Sequence, residues 1–346
     1  NLSIMSGNFP ETLKCAKVTP IFKKGEKEDP GNYRPISILP VLSKLFEKHV
    51  AIQVYKFFET YSLFHKAQSG FRKYYSCQTE LTKLIDLWLK EMDNGHMTGI
   101  VFLDFKKAFD LVDHEILLQK LKCYRFDNPS LNWFRSYQNQ RSQRVSIGNI
   151  SSHTHTIHSG VPQGSVLGPL LFLIYINDLP LNNESTNTDL FADDATLYTS
   201  SSDTEVIQMR LNSDLIRVQN WAQQNRMVIN EGKTKCMILG TSQKLHKSGN
   251  PELSLAINNH PLENVKHEKL VGVSVDNNLL WNDHIDKLCK TLLSKIALLS
   301  RIKKYLPMET CNLYYKSYIL PTMDYCSNVW GNCAKSELDR IYKLQK

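Results

Sequence analysis

Patterned cysteine is missing from this chain. Its eight cysteines, at positions 15, 77, 123, 236, 289, 311, 326 and 333, form no Cys-x-x-Cys pair. That removes the usual zinc-site spacings and leaves no disulfide framework. Free thiols in a reducing compartment are the natural inference. Long hydrophobic runs are also missing. The longest, Val166 to Ile176, is broken by Gly168-Pro169 and is too short for the ~20 residues that span a bilayer. No secretory leader opens the chain, no segment repeats, and no dense basic tract stands out. The expectation is an intracellular protein of nucleus or cytoplasm, not secreted and with no membrane partner. Nothing in the sequence sets an oligomeric state. The chain begins at Asn1 and stops inside a helical pattern at Lys346, so it reads as a fragment of something longer.

What is present is a core and an uneven charge. The 346 residues are 42% hydrophobic, enough for two or three lobes. Residues 1–90 carry 14 Lys/Arg and 8 Asp/Glu, residues 91–279 carry 17 and 20, and residues 280–346 carry 11 and 6. An acidic middle therefore lies between two basic ends. That distribution suits metal chemistry flanked by surfaces that hold a polyanion.

The acidic middle contains one pair of adjacent carboxylates between β-prone runs, Asp193-Asp194, preceded by Asp189-Leu190-Phe191-Ala192 and followed by Ala195-Thr196-Leu197-Tyr198. The pattern predicts a hairpin with the pair at its tip. Upstream, Asp104 ends the apolar run Gly99-Ile100-Val101-Phe102-Leu103. If the two strands pair, three carboxylates converge on one sheet edge. Such groups repel unless a cation is present, and hard divalent cations take oxygen ligands, usually one or two carboxylates plus substrate phosphates. Two such ions roughly 3.5–4 Å apart clamp the attacking and leaving oxygens of a phosphoryl transfer. A nucleotide polymerase is the expectation. Adjacent aspartates are also ordinary turn residues, so the pair alone does not decide it.

Along the chain, residues 11–40 are basic, Pro-rich and loop-like. Apolar positions 42, 45, 46, 50, 54, 57, 58 and 61 keep helical spacing. Gln68-Ser69-Gly70-Phe71-Arg72 is a turn. Ser76 is an N-cap for a helix through Met92, with Leu81, Leu84, Ile85 and Trp88 on one face. The strand at 99–104 leads into a helix expected to reach about Tyr124, burying Ala108, Val112, Ile116 and Leu121. Ser159 to Gly164 forms a tight loop opening a helix to about Asp178. After the hairpin, Ile207, Leu211, Leu215, Val218 and Ala222 mark a helix, Cys236–Leu239 a strand, and 253–258 and 269–276 β-like stretches. Helices over 282–304, 309–320 and from 335 complete the chain. The fold class is α+β. The middle reads β-α-(α)-β-β-α-β, a ferredoxin-like pattern of antiparallel sheet with helices on one face, and the flanks read as mainly helical.

Nine short segments then fall in one order. They are Val18-Thr19-Pro20-Ile21-Phe22-Lys23-Lys24-Gly25, Asn32-Tyr33-Arg34-Pro35-Ile36-Ser37, Ser43-Lys44-Leu45-Phe46-Glu47 and Gln68-Ser69-Gly70-Phe71-Arg72. Phe102-Leu103-Asp104-Phe105-Lys106-Lys107-Ala108-Phe109-Asp110 and Trp133-Phe134-Arg135-Ser136-Tyr137 follow. The last are Gly160-Val161-Pro162-Gln163-Gly164-Ser165, Phe191-Ala192-Asp193-Asp194 and Asn230-Glu231-Gly232-Lys233-Thr234-Lys235. Over nearly all of 10–346 the chain resembles the reverse transcriptase domain of non-LTR (LINE-type) retrotransposons, of the jockey-like and chicken-repeat-like branch. Two positions depart from the family pattern: Gln138 and Val271 stand where leucine is usual.

The resemblance implies a right-hand polymerase with a ferredoxin-like antiparallel palm sheet, helical fingers and a helical thumb. Residues 1–95 would be fingers, 96–280 palm with a fingers insertion at about 115–158, and 281–346 a truncated thumb. Asp104, Asp193 and Asp194 would be catalytic and, with the Phe105 backbone carbonyl, would hold two Mg²⁺ ions, Mn²⁺ being an alternative. In the family the upstream aspartate and the first of the pair usually hold the metals. Phe109 would wall off a 2′-hydroxyl, since contacts alone discriminate one hydroxyl only modestly; it also fits a core position. Gln163 and Gly164 would support the nascent base pair. Lys23 or Lys24, with Arg34, would reach the dNTP triphosphate. Lys233 would protonate pyrophosphate, or is a solvated lysine. Gly70, Phe71, Arg72, Arg135, Arg144 and Gly272 would track template and primer, or support the fold. The implied activity is RNA-directed DNA synthesis, extending a DNA primer 3′-OH with dNTPs on an RNA template. Rivals are an inactive or domesticated remnant that binds nucleic acid without copying it, and another palm-bearing enzyme such as an RNA-dependent RNA polymerase or an intron maturase. No endonuclease segment appears in the sequence.

Overall fold

A computed structural model describes residues 2–345. The chain opens with α1 (Leu2–Ser6), β1 (Cys15–Phe22), β2 (Tyr33–Ile38), α2 (Val41–Thr60), α3 (Cys77–Asp93) and β3 (Met97–Leu103). It continues through α4 (His114–Cys123), α5 (Asn128–Gln138), β4 (Arg141–Ile147), β5 (Ile150–Ser151), β6 (His155–Ile157) and α6 (Gly168–Ile176). Next come β7 (Asn187–Phe191), β8 (Asp194–Ser201), α7 (Thr204–Gln224), β9 (Lys235–Leu239) and α8 (Ser242–Lys247). Five short strands follow: β10 (Ala256–Ile257), β11 (His260–Pro261), β12 (Glu263–Asn264), β13 (His267–Leu270) and β14 (Val273–Asp276). The end is helical, with α9 (Asn282–Ile302), α10 (Met308–Tyr314), α11 (Leu320–Asp324), α12 (Ser327–Trp330) and α13 (Lys335–Gln345). No described helix is long and apolar enough to cross a membrane.

The chain divides into two compact units. The first comprises Asn1–Phe71, Asp104–Glu184 and Ile216–Asn230. Its sheet runs β2-β1-β4-β5, with β6 also on β4; β1 is antiparallel to β2 and parallel to β4. Residues 11–40 are therefore largely a hairpin and not the expected loop. The prolines obscured it: Pro20 faces Pro35 across the hairpin, beyond the last β4 partner of β1 at Val18. A residue without an N–H is tolerated where no central ladder needs it. The core is aromatic. The Phe9 ring sits edge-on to Trp133 at 5.6 Å and to Tyr137 at 5.1 Å, and Trp133 stacks on Tyr137. Every residue of α6 from Leu170 to Ile176 is fully buried, as a helix apolar on all sides must be.

The helix expected directly after Asp104 starts only at His114. Residues 106–110 are turns: Lys107 has φ +49° and the Asp110 N–H donates to the Lys107 carbonyl. The helix begins where Asp113 caps it, its Oδ1 accepting the Glu115 and Ile116 N–H groups, both at 3.0 Å. Ala108 and Val112 are buried as expected but lie outside the helix. Leu117, Leu118 and Leu121 form its buried face, while Ile116 is half-buried.

The second unit comprises Arg72–Leu103, Ser185–Leu215 and Glu231–Lys346. Its sheet runs β12-β9-β3-β8-β7, with β3 antiparallel to both β8 and β9, and β7 antiparallel to β8. Central β3 is buried along almost its whole length, which explains its unbroken apolar sequence. Ser76 caps α3 through a reciprocal bond with Thr79, and Leu84 and Trp88 of that helix join Ile100, Tyr198, Met237, Ile285 and Trp330 in one core. Two expectations change here. The stretch 269–276 is a hairpin, not one strand: β13 turns into β14 at Val271 (φ +45°) and Gly272 (φ +91°). The helix expected over 309–320 is interrupted by a π-turn at Tyr315–Ile319, and α11 then begins at Leu320 with Pro321 in its first turn.

Candidate active site

In the second unit the expected hairpin forms, but its tip lies one residue earlier than the Asp193-Asp194 pair, and Asp194 is the first residue of β8. Phe191 pairs with Asp194, leaving Ala192 and Asp193 as a two-residue loop. Ala192 takes φ +60° while buried, a conformation that costs a non-glycine residue roughly 1 kcal/mol or more. Asp193 is half-buried and Asp194 exposed. The hairpin is anchored from below. Buried Asp189 of β7 is ion-paired with Lys83 of α3 and accepts the Tyr198 hydroxyl at 2.8 Å. Burial, with Asp189 beside it, pushes the Tyr198 phenol well above its usual range. One step further along the same register, Leu103 pairs with Ala195. Asp104 is the next residue of the chain.

In the first unit, Asp104 is held by Asn230. The Asn230 side-chain amide donates to Oδ2 at 2.7 Å, and its main-chain N–H donates to the Asp104 carbonyl at 2.7 Å. Phe105 is buried, bridges to Ile229 and meets the edge of Trp221. Phe109, half-buried, stacks on Phe172 at 4.4 Å and meets Phe71 edge-on at 6.4 Å. It stands on the turn before α4 and not at a helix start.

The loop ahead of α6 is stitched to that turn. Val161 N–H donates to the Phe109 carbonyl at 2.9 Å, Gly160 N–H to Val112 at 2.7 Å, and Gln163 Nε2 to Asp110 Oδ1 at 2.9 Å. On its other side the Gln163 carbonyl accepts the Ser37 N–H of β2 at 2.7 Å. Gly164 has φ +120°, and a Cβ there would lie 2.5 Å from the Ser37 carbonyl oxygen. The close approach that requires glycine is thus to β2. Just beyond, fully buried Glu47 accepts the Val166 N–H at 2.7 Å, and the Ser43 hydroxyl donates to it at 2.8 Å. Such a carboxylate at the start of a helix satisfies orphan N–H groups.

The remaining candidate residues are dispersed. Lys23 and Lys24 are exposed in the β1–β2 loop, and Arg34 is exposed on β2. Arg144 of β4 lies opposite Lys17. Arg135 is exposed on α5 and donates to Asn132, three residues earlier on the same helix. Gly70 is buried, its N–H held by Gln68 Oε1, and the Tyr55 hydroxyl donates to the Phe71 carbonyl. In the second unit, the Arg72 guanidinium lies 4.6 Å from the Tyr75 ring centre. Lys233 is exposed on a turn. The Tyr325 hydroxyl donates to the Val271 carbonyl beside Gly272. Sequence reasoning missed Asn230, Asp110 and Glu47 as site residues, although each belongs to a recognised segment. Their partners are distant in sequence, so no local pattern marks them.

Among the described residues, no group of three or more His, Cys, Asp or Glu side chains is arranged to hold a metal ion. Magnesium does not require one, because it takes one or two carboxylates and completes its shell with water and substrate phosphate. A carboxylate such as that of Asp104, Asp193 or Asp194 is the hard oxygen donor that such an ion takes.

The family profile described as "Reverse transcriptase (RNA-dependent DNA polymerase)" matches residues 21–274. The "RNA-directed DNA polymerase from mobile element jockey" of Drosophila melanogaster is 30% identical over 98% of this chain and 37% of the relative. The "Probable RNA-directed DNA polymerase from transposon X-element" of the same species is 30% identical over 97% of this chain and 37% of the relative. The chain thus spans little more than a third of the length of these relatives. Among solved structures, the telomerase of Candida albicans with a fragment of telomeric RNA superposes with a TM-score of 0.51 at 12% identity, covering 97% of this chain and 63% of that one. That likeness concerns the fold alone.

Proposed function

Because this chain belongs to the reverse transcriptase (RNA-dependent DNA polymerase) family, we propose that it extends a DNA primer 3′-hydroxyl with dNTPs along an RNA template. In this reading it is the polymerase part of a non-LTR retrotransposon protein, as the names of its relatives suggest. The observation that carries the site is the register of one sheet. Leu103 ends β3 opposite Ala195, and Asp193 is two residues before Ala195 at the hairpin tip; Asp104 follows Leu103 by one peptide bond.

The order β9-β3-β8-β7, antiparallel throughout, is that of a ferredoxin-like sheet, which supports reading it as a polymerase palm. Residues 96–280 form this palm, with a fingers insertion at about 115–158; residues 1–95 are fingers and 281–346 a thumb. The fingers contain the β1–β2–β4 sheet, so they are not simply helical.

Asp104 and Asp193 hold two Mg²⁺ ions, with Asp194 and the Phe105 carbonyl as further oxygen donors. When bound, these ions activate the primer hydroxyl and stabilise charge on the transferring phosphate. The chain's own residues position the reactants, the larger part of catalysis in phosphoryl transfer. Asn230 fixes the Asp104 carboxylate. Phe109, braced by Phe172, walls off the sugar 2′ position. Gln163 and Gly164 support the nascent pair, Lys23 or Lys24 and Arg34 bind the triphosphate, and Lys233 protonates pyrophosphate. Gly70, Phe71, Arg72, Arg135, Arg144 and Gly272 track template and primer.

Asp104→Ala separates this reading from that of a copy which only binds nucleic acid. Loss of extension with RNA binding retained supports the enzyme. A parent chain that binds RNA yet never extends a primer, with Mg²⁺ or Mn²⁺, overturns it.

A further inference from the structure

Asp110 has no part in the chemistry above, yet it gathers the polar contacts of the loop ahead of α6. Its Oδ1 accepts from Gln163 Nε2 at 2.9 Å, and its main-chain carbonyl accepts the Ser159 hydroxyl at 3.2 Å. The Gln163 carbonyl meanwhile accepts the Ser37 N–H of β2 at 2.7 Å. The main chain of Gln163 is therefore fixed by β2, and its side chain by Asp110.

A primary amide has a donor end and an acceptor end, and turning it over exchanges them with little change of shape. A carboxylate can only accept. Asp110 thus dictates which end of Gln163 faces it: the NH₂ group turns inward and Oε1 turns away. Asp110 also directly follows Phe109, so one turn carries both the aromatic wall and the anchor of the amide. The backbone bonds from Gly160 and Val161 to Val112 and Phe109 hold the turn and the loop together without the Asp110 side chain. The carboxylate is accordingly not needed to keep the two segments in register.

We propose that Asp110 is a positioning residue that locks the Gln163 amide with its oxygen outward, presenting an acceptor to the incoming dNTP. The proposal rests on the polymerase reading above, and it is the dNTP-binding step on which Asp110 acts.

The test is a mutant cycle read in steady-state extension and, independently of activity, in the side-chain amide signals of protein labelled with ¹⁵N-glutamine. Asp110→Ala should raise the KM for dNTP about fivefold, the worth of one ordinary hydrogen bond, with kcat little changed. Asp110→Asn, whose Oδ1 can still accept, should recover most of that loss. In a Gln163→Ala background, Asp110→Ala should add nothing further, because interacting residues are not additive. An equal effect of Asp110→Ala in both backgrounds, or an unchanged KM, overturns the proposal. The Gln163 amide signals, assigned by their loss in Gln163→Ala, should shift and exchange faster with water in Asp110→Ala. Unchanged signals overturn it too, even if the parent chain proves unable to extend a primer, which would count against the polymerase reading alone.

Discussion

Asn230 holds Asp104 at two points, its main-chain N–H on the Asp104 carbonyl and its side-chain amide on Oδ2, each at 2.7 Å. The first bond fixes where the backbone leaves β3, and the second fixes the rotation of the carboxylate. Misplacing a reacting group by 1 Å can cost on the order of 100-fold in rate. Asn230→Ala should therefore lower single-turnover extension by at least ~10-fold while RNA affinity stays within about twofold. Asn230→Asp should be worse, since a carboxylate there has no N–H to donate to Asp104 Oδ2 and repels it. Wild-type rates in both variants would remove Asn230 from the site.

Phe109 is clamped between the faces and edges of two other rings. Shortening it to alanine opens space at the proposed 2′ position and removes a stacking partner of Phe172. Discrimination against rNTPs, measured as the ratio of kcat/KM values, should fall at least ~10-fold, the scale of a steric wall whose loss admits one hydroxyl. The unfolding midpoint should drop as well. If discrimination is unchanged while stability falls, Phe109 is a core residue only.

Gly164 tests the link between the α6 loop and β2. A methyl group there meets the Ser37 carbonyl at 2.5 Å, on backbone already at φ +120°. Gly164→Ala should cost about 2–4 kcal/mol in denaturant unfolding, combining overpacking with backbone strain. A cost under about 0.5 kcal/mol would mean that the loop does not pack on β2 in this way.

His284 makes stability depend on pH. The imidazole is buried, its Nδ1 accepts the Ser274 N–H at 3.4 Å, and the Trp330 ring lies 5.6 Å away. Burial holds its pKa below the ordinary value of 6.5, with Asp283 pulling upward and Lys287 pushing down. The unfolded chain takes up this proton more readily than the folded one. The His284 contribution is therefore complete above pH 6.5 and is lost as pH falls below it, at up to ~1.4 kcal/mol per pH unit. His284→Gln should flatten the stability profile between pH 7 and 5. An identical slope in the variant would contradict this.

Much of this architecture was legible in the sequence because it rests on local periodicity. The apolar spacing of α2 and α3, with the Ser76 cap, and the range 282–304 for α9 match those helices within a residue or two, and the apolar residues from Ile207 to Ala222 all fall inside α7. The β7–β8 hairpin shows as two β-prone runs, although its loop is Ala192-Asp193 and not the Asp193-Asp194 pair. What was hidden depends on partners far along the chain. Pro20 and Pro35 argue against strands one at a time, and only their pairing makes a hairpin possible. The apolar residues from Ala108 to Val112 imitate a helix, but Lys107 takes a left-handed conformation that no spacing rule anticipates. The positions of Asp104 and Asp193 were readable from the motifs; the residues that orient side chains, Asn230 and Asp110, were not, since each acts across 53 or more positions.

The most direct test of the proposed function is primer extension on an RNA template with Mg²⁺ and dNTPs, comparing the parent chain with Asp193→Ala. Extension by the parent and none by the variant, with equal RNA binding, is the predicted result. Extension that survives in Asp193→Ala, or fails in both while RNA remains bound, would contradict it.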